Sequence, residues 1–158
     1  MNLKFDHIFS AEDISAETVN QVSSIDLQYF PTPWKKSAWE DLFSNSPRML
    51  TLASSSGTIV GFALFDINVV DSFAHLLKII IIPEAQKKGI GELLLRSCFE
   101  VLTTDKKINQ YFLEVEVGNQ SALSLYKKCG LQIIHTKKDF YGASKDAFIM
   151  TMNSDCSI

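Results

Sequence analysis

Residues 76–91 read Leu-Leu-Lys-Ile-Ile-Ile-Ile-Pro-Glu-Ala-Gln-Lys-Lys-Gly-Ile-Gly, and this stretch decides the fold of the chain. The run of isoleucines is β-branched and too short to cross a membrane, so it predicts a strand over 73–82 that is buried on both faces. Pro83 ends that strand. Apolar residues then recur at helical spacing and predict a helix over 92–102. The predicted unit is therefore a strand, a glycine-bearing loop and a helix.

The loop of this unit has features of a phosphate-binding loop. Successive backbone N–H groups in such a loop can point at one spot, and the positive end of the helix dipole adds to them. Gly89 and Gly91 carry no side chain that would block a close approach. Two glycines before a helix are also ordinary punctuation, so the loop alone leaves a phosphate site and a plain turn both open.

A later stretch favours the phosphate site. Residues 111–131 read Tyr-Phe-Leu-Glu-Val-Glu-Val-Gly-Asn-Gln-Ser-Ala-Leu-Ser-Leu-Tyr-Lys-Lys-Cys-Gly-Leu. With the loop, this stretch resembles the GNAT superfamily of acyl-CoA N-acyltransferases, in which Q/R-x-x-G-x-G/A binds the pyrophosphate of coenzyme A and a later N-x-x-A-x-x-L-Y lies beside the thioester. Both motifs occur here in that order. The resemblance spans residues 5–152 and implies the GNAT fold, an α/β mixed sheet of about seven mostly antiparallel strands flanked by about four helices.

Within the superfamily the chain is most similar to the bacterial ribosomal-protein alanine N-terminal acetyltransferases. The shared features are an F-P-x-P-W loop at 30–34, L-E-V at 113–115 and an ending F-Y-x-x-x-x-D-A-x-x-M at 140–150. This likeness implies transfer of an acetyl group from acetyl-CoA to a protein N-terminus, such as that of a ribosomal protein, by direct attack in a ternary complex. Two departures lie on the acceptor side: Glu116 stands where arginine is common, and Phe140 replaces the first tyrosine of a Y-Y pair.

The resemblance also assigns roles to single residues. Glu114 would act as the base and Tyr126 as the acid. The cofactor would contact Ile79, Ile80, Ile81, Gln86, Lys87, Lys88, Gly89, Ile90, Gly91, Glu92, Asn119 and Tyr126. The acceptor would contact Phe30, Trp34, Glu116 and Tyr141. Main-chain groups at 79–81 would be offered to the cofactor because a bulged strand leaves amides unpaired.

The chemistry of acetyl transfer asks for residues of these types. An amine attacks only when neutral, and an α-amine with a pKa of about 8 is neutral far more often than a lysine near 10.4, a gap of roughly 3.4 kcal/mol. A carboxylate such as Glu114 is then a sufficient base, and a tyrosine can protonate the departing thiolate. Ordinary structural roles remain open: a solvated strand carboxylate for Glu114, a core aromatic for Tyr126, and a core-capping loop at 29–34.

Two other functions are compatible with the same cofactor half. One is acetylation of a small amine such as a polyamine or aminoglycoside. The other is an acyl-CoA-binding regulator without turnover, against which the presence of both Glu114 and Tyr126 argues.

Composition bounds the class of protein. The 158 residues are 46% hydrophobic and 21% charged, which predicts one globular domain, 1–152, with a flexible tail at 153–158. The net charge of −3 shows no basic excess, so nucleic acid is not an expected partner. Neither a signal-peptide core nor a membrane-spanning run is visible. We therefore expect a soluble, cytoplasmic protein without membrane contact, present as a monomer or weak dimer.

Cysteines and histidines suggest no further site. The three cysteines are odd in number and widely spaced without a C-x-x-C pair, which favours reduced thiols over a disulfide frame or zinc site. They are Cys98, Cys129 and Cys156. The three histidines are scattered and suggest neither a metal site nor a nucleophilic triad. They are His7, His75 and His135.

The rest of the chain alternates strands and helices, which favours a mixed sheet covered on both faces. Ser10 or Ser15 is predicted to cap the first helix, which runs to about residue 28, and Asn119 and Gly130 are predicted to bound the last one. A short helix is predicted over 37–43. The further predicted strands are 4–9, 49–53, 58–68, 110–117, 131–137 and 146–152.

Overall fold

The computed structural model describes residues 2–154, which fold around one seven-stranded sheet. Its strands are β1 (Leu3–Ile8), β2 (Arg48–Ser55), β3 (Thr58–Asn68), β4 (Phe73–Ile81), β5 (Gln110–Glu116), β6 (Gln132–Lys137) and β7 (Ala147–Asn153). The α-helices of this region are α1 (Ala16–Tyr29), α2 (Lys36–Glu40), α3 (Ile90–Lys106) and α4 (Gln120–Lys128). Across the sheet the order is β1-β2-β3-β4-β5-β7-β6, and only the β4–β5 pair is parallel. The predicted fold class is confirmed.

Capping residues fix the helix ends as the sequence predicts. Both serine candidates act as caps: Ser10 accepts a hydrogen bond at a short 3-10 turn, and Ser15 accepts one from Thr18 N–H at the start of α1. Asn119 caps α4. Gly130, with φ of 100°, follows α4 in the left-handed conformation that ends helices.

Two helix ends differ from prediction. α3 runs to Lys106, one turn beyond the predicted end at 102. Leu102 is its last buried residue, so the apolar periodicity stops there while the solvated helix continues. α2 ends at Glu40, and a turn takes the place of the predicted helix over 41–43.

Two apolar clusters cover the two faces of the sheet. One packs α1 and α2 against residues that include Phe62, Leu64 and Ile80, and the other packs α3 and α4 against the opposite face. Within β4 burial alternates: Ile80 is buried, whereas Ile79 and Ile81 are only partly covered. The prediction of a strand buried on both faces is therefore wrong for alternate residues.

The last strand extends past the predicted domain end at residue 152. Asn153 belongs to β7, and Ser154 donates its backbone N–H to Asn109 at 2.9 Å and its hydroxyl to Ile108 at 3.0 Å. A flexible tail starting at 153 is therefore wrong for these two residues, and 155–158 lies outside the described residues.

Further expectations concern thiols and membrane spans. Cys98 and Cys129 are free, as predicted, and both are buried, while Cys156 lies outside the described residues. Among residues 2–154, no helix combines the length and apolar character that a membrane crossing requires.

Candidate functional site

β4 and β5 open a cleft in the sheet. The two strands pair only at their beginnings, and the last pair joins His75 to Phe112. Past this point the strands separate, although β4 continues to Ile81 and β5 to Glu116. Their facing edges therefore have no strand partner, and the backbone groups along them are available to a ligand.

Backbone groups of Ile79 and Ile81 face this cleft. Ile82 N–H donates to Val60 at 2.9 Å, so the backbone of Ile82 points towards β3. Because these groups alternate between the two edges of a strand, those of Ile79 and Ile81 point the other way. The backbone of Ile80 points towards β3 and its side chain into the core. The predicted main-chain role thus fits Ile79 and Ile81 but not Ile80.

The bulge in β4 lies before these residues. The register between β3 and β4 shifts between Leu64 and Phe65, which makes Leu77 the extra residue of β4. The strand is therefore bulged, as the prediction requires, but the bulge itself lies two residues before Ile79 and does not leave the amides at 79 and 81 unpaired. They are free because β5 turns away from β4.

The loop before α3 has the backbone of an anion-binding loop. Lys87 and Gly89 are left-handed, with φ of 62° and 79°, and residues of this kind turn successive N–H groups towards one side. A Cβ at Gly89 would meet no atom within 4 Å, so the space beside the loop is open. At Gly91 a Cβ would lie 3.4 Å from Leu125, so this glycine serves the packing of α3 against α4. Ile90 is buried and begins α3.

Side chains of the loop divide between structure and surface. Gln86 Nε2 donates to the carbonyl of Ile81 at 2.8 Å, so this side chain ties the loop to the cleft edge of β4. Lys87 and Lys88 are exposed and bring two positive charges to the loop. This charge favours a phosphate-bearing ligand.

Two predicted cofactor ligands already have protein partners. Glu92, in the first turn of α3, forms an ion pair with Arg96 at 3.0 Å. The Asn119 Oδ1 accepts from Ala122 N–H at 3.2 Å, so its Nδ2 is the group left to donate to a ligand.

Glu114 lies in the cleft with a partner that sequence reasoning missed. His75 Nε2 and Glu114 Oε1 are 2.9 Å apart, and the two side chains are only 24% and 18% exposed. The imidazole also stacks on Phe112, with ring centroids 4.2 Å apart. The expectation for His75 covers only a metal site and a nucleophilic triad, so it misses this contact with Glu114. The signal lay in the strand register, which pairs His75 with the residue two before Glu114.

Tyr126 and Tyr141 reach the same region from two elements. Tyr126 on α4 is buried, which raises the pKa of its hydroxyl, and Tyr141 and Cys129 raise it further. Tyr141, between β6 and β7, is 43% exposed; partial burial and then the charges of Glu114 and Glu116 raise its pKa to about 12. Both phenols are protonated at neutral pH. Glu114 and Glu116 act on Tyr141, and Tyr141 acts on Tyr126, so Tyr141 lies within electrostatic range of the other three residues.

The aromatic loop, residues 30–34, lies on the same face of the sheet as His75. Phe30 and Trp34 are half-buried and pack on the cluster that contains Ile80, so the loop does cap the core, as the structural alternative requires. It also contacts β4, since the Phe30 ring lies 4.0 Å from the Lys78 ammonium. Lys78 pairs with Leu64 on β3, and His75 pairs with Asp66. Because Leu64 and Asp66 are two residues apart, Lys78 and His75 lie on the same face of the sheet.

Two grooves outside the cleft contain almost none of the predicted site residues. Two grooves of about 240 and 290 Å³ lie along α1, and Trp34 is the one predicted site residue that lines either. In the described part of the chain, no three His, Cys, Asp or Glu side chains are arranged to hold a metal ion. We base the candidate site on the cleft because its acid–base groups meet there.

The chain matches known proteins over most of its length. The Acetyltransferase (GNAT) family matches residues 19–131. A Bacillus subtilis protein, named as a putative ribosomal protein bS18-alanine N-acetyltransferase, is 32% identical over 143 residues, which are 89% of this chain and 93% of that protein.

Two solved structures have the same fold. The ribosomal-protein-S18-alanine N-acetyltransferase of Escherichia coli superposes with a TM-score of 0.80 and 19% identity, over 95% of this chain and 94% of that one. Arabidopsis thaliana NAA60 in complex with acetyl-CoA superposes with a TM-score of 0.80 and 14% identity, over 98% and 99% of the two chains.

The family match ends after α4, so it covers the aromatic loop and the cleft and leaves Tyr141 outside.

Proposed function

The chain belongs to the GNAT family of acetyltransferases, and we propose that it transfers the acetyl group of acetyl-CoA to the N-terminal α-amine of a protein. The amine attacks directly in a complex that holds both substrates, with Glu114 as the base and Tyr126 as the acid. The observation that carries the proposal is the contact of His75 with Glu114 where β4 and β5 separate, with Tyr141 within electrostatic range of both Glu114 and Tyr126. Amine acylation needs one group to accept a proton and one to donate it, and this region has both.

The residues of the cleft fit acetyl-CoA, which supplies the acetyl group as a reactive thioester. The loop at 87–91 suits the pyrophosphate, because its left-handed residues, the dipole of α3 and two lysines all favour negative charge. The backbone groups of Ile79 and the N–H of Ile81 suit the amides of the pantetheine arm, which they would bind as an added strand, while the Ile81 carbonyl already accepts from Gln86. Asn119 Nδ2 lies at the start of α4, the helix that carries Tyr126.

Glu114 takes the proton of the attacking amine, directly or through a water. An α-amine with a pKa near 8 is about one-tenth neutral at pH 7, so forming the neutral amine costs only about 1.4 kcal/mol, and the base also takes the proton that the nitrogen releases as the C–N bond forms. In the contact with His75, the imidazole N–H donates and the carboxylate accepts. This bond fixes the carboxylate, and its second oxygen accepts no hydrogen bond from residues 2–154, so we assign that oxygen to the amine. His75 is thus a positioning residue for Glu114.

The acceptor side favours a cationic chain start. Glu114 and Glu116 are two apart on β5 and share a face, and their charges act on Tyr141. Phe30 and Trp34 offer apolar surface on the same face of the sheet. A protein N-terminus matches both features: its positive charge suits the two carboxylates, and its first side chain suits the aromatic rings. The Bacillus subtilis relative is named for a ribosomal protein alanine, and we propose a ribosomal protein as the acceptor.

A polyamine is the second candidate acceptor, because the same two carboxylates would attract it. A regulator that binds acyl-CoA without turnover is the third reading, and release of free coenzyme A with any amine would exclude it.

An acceptor screen tests the proposed function. A peptide with a free N-terminal Ala or Ser should be acetylated at its α-amine, and the same peptide blocked there but carrying lysine should react far more slowly, since lysine is neutral about 250-fold less often. Basic residues at positions two to four should be preferred over acidic ones, and added salt should shrink the preference. Coenzyme A release gives the rates, and mass spectrometry locates the acetyl group.

Two outcomes would reject the N-terminal reading. Acetylation chiefly on lysine side chains is one, and rates on spermidine far above those on every peptide are the other. Glu116→Arg serves as the matched variant: it should weaken the basic preference without abolishing turnover, because it reverses one acceptor-side charge and leaves Glu114 in place.

The pyrophosphate loop is tested by a charge at Gly89. Both Asp and Asn tolerate the left-handed φ of 79° better than other residues, and no atom lies within 4 Å of the new Cβ, so Gly89→Asp and Gly89→Asn should both fold. Calorimetry should show acetyl-CoA binding at least about tenfold weaker for Asp than for Asn, because only Asp adds a charge that repels phosphate. Equal affinities in the two folded variants would remove the loop from the cofactor site.

A further inference from the structure

A buried ion pair joins the central strand to the first helix. Lys78 Nζ on β4 lies 2.8 Å from Asp26 Oδ1 on α1, and the side chains are 2% and 0% exposed. Burying two charges is expensive unless each has several polar partners. The partners of this pair therefore show what it holds in place.

The pair is bonded to the aromatic loop from both of its ends. The second carboxylate oxygen of Asp26 accepts from Trp34 N–H at 2.8 Å and from Trp39 Nε1 at 2.9 Å. The ammonium of Lys78 donates to the carbonyl of Thr32 at 3.2 Å. All three bonds converge on residues 32–39.

Ring contacts add to these hydrogen bonds. The Lys78 ammonium lies 4.0 Å from the Phe30 ring centroid and 5.0 Å from that of Trp34. Desolvated contacts between a cation and an aromatic face are attractive. Phe30 and Trp34, the two rings proposed to contact the acceptor, thus share one cation.

The composition of the loop explains the need for such a device. Pro31 and Pro33 have no N–H, so the loop has few backbone donors with which to fix itself on the core. A buried apolar pair could fill the same space with equal or greater stability, but it would make no directional bonds to the loop. The ion pair therefore fixes one conformation.

Lys78 also links the loop to the cleft. It lies between Leu77, the bulged residue of β4, and Ile79, whose backbone faces the cleft. The aromatic loop and the cleft edge of β4 are therefore held by adjacent residues of one strand, the loop by Lys78 and the edge by Ile79.

We propose that the Lys78–Asp26 pair is a positioning device that holds the aromatic loop against β4 and so sets the affinity for the acceptor. The proposal rests on the proposed function in one respect, the assignment of Phe30 and Trp34 to the acceptor side. Neither Lys78 nor Asp26 is a catalytic residue, because they reach the substrate only through the loop.

The test removes both charges while sparing the tryptophan bonds. In Lys78→Met with Asp26→Asn, the amide oxygen can still accept from Trp34 and Trp39, and no unpaired charge stays buried. The matched control is Lys4→Met with Asp6→Asn, which removes an exposed ion pair of 3.2 Å on β1. Both tryptophans of the chain lie in this cluster, so their fluorescence reports directly on the docked loop.

We expect the KM for the acceptor to rise while the KM for acetyl-CoA changes little. The double variant should show a cooperative thermal transition, red-shifted tryptophan emission and an acceptor KM about fivefold higher or more, with the acetyl-CoA KM within about twofold of wild type. The control should match wild type in all of these. Unchanged emission and acceptor KM in the folded variant would overturn the proposal, as would an equal rise in both KM values.

Two arms keep the result decisive. Should the double variant not fold, Lys78→Gln with Asp26→Asn, which also removes both charges but leaves two amides that can hydrogen-bond to each other, should change emission and acceptor KM in the same directions, and no change would reject the proposal. Should wild type acetylate no peptide, the proposed function fails, while emission and limited proteolysis at 30–36 still decide whether the pair holds the loop.

Discussion

Glu114→Gln should lower kcat by about 100-fold or more at pH 7, with the affinity for acetyl-CoA within about twofold of wild type. Gln has the size of Glu and can still accept a hydrogen bond from His75, so the cleft keeps its shape. It cannot take up the proton of the amine. The measurement is steady-state release of coenzyme A with an N-terminal peptide, together with calorimetry for acetyl-CoA.

The dependence on pH should distinguish a lost base from a distorted site. Solvent removes the amine proton as the pH rises towards the amine pKa of about 8, so the Gln variant should recover part of its rate between about pH 7 and 9. A distorted site would show the same deficit throughout. Glu116→Gln is the matched control, since it makes the same change two residues along β5; it should raise the acceptor KM and leave kcat within about threefold.

A kcat within about threefold of wild type for Glu114→Gln would contradict the base assignment. Glu114 would then be a strand carboxylate whose role is to bind His75, and the imidazole would become the candidate proton acceptor.

Local sequence patterns predict most of this fold. The limits of β3 and the caps at Ser15 and Asn119 follow from alternation and capping chemistry, which act within a few residues. The end of α3 does not follow, because its last turn is solvated and has no apolar period. The partial exposure of Ile79 and Ile81 does not follow either, because it depends on the residue at which β5 stops pairing with β4. Such separation is a property of two distant segments.

The site shows the same division between near and distant residues. The loop at Gly89 and the helix with Tyr126 have motifs within short windows. The His75–Glu114 contact joins residues 39 apart in sequence, and the Lys78–Asp26 pair joins residues 52 apart. A lone histidine or lysine in an apolar strand carries no sign of its partner. Strand register decides the first contact, and the packing of α1 against the sheet decides the second, so each is visible only in the folded structure.

Tyr126→Phe should lower kcat at least about tenfold and change acetyl-CoA affinity much less. The substitution keeps the ring, which packs in the core, and removes only the hydroxyl. Because burial raises the pKa of Tyr126, the hydroxyl stays protonated where the amine loses its proton. The wild-type rate should therefore rise from about pH 6 to 9 without an alkaline fall from the acid.

Tyr111→Phe provides the control for losing a buried tyrosine hydroxyl. The Tyr111 hydroxyl bonds to Thr103 at 2.6 Å in the last turn of α3, at the opposite end of the helix from the loop at 87–89, so its loss should lower the free energy of unfolding by about 1 kcal/mol and leave kcat unchanged. Tyr126→Phe should show the reverse, a small change in stability and a large one in kcat, because an acid contributes to the transition state and not to the folded state. Thermal unfolding and initial rates on the same two proteins separate the roles. A near-wild-type rate for Tyr126→Phe would make Tyr126 a core aromatic, and Tyr141, whose pKa near 12 also keeps it protonated, would become the candidate proton donor.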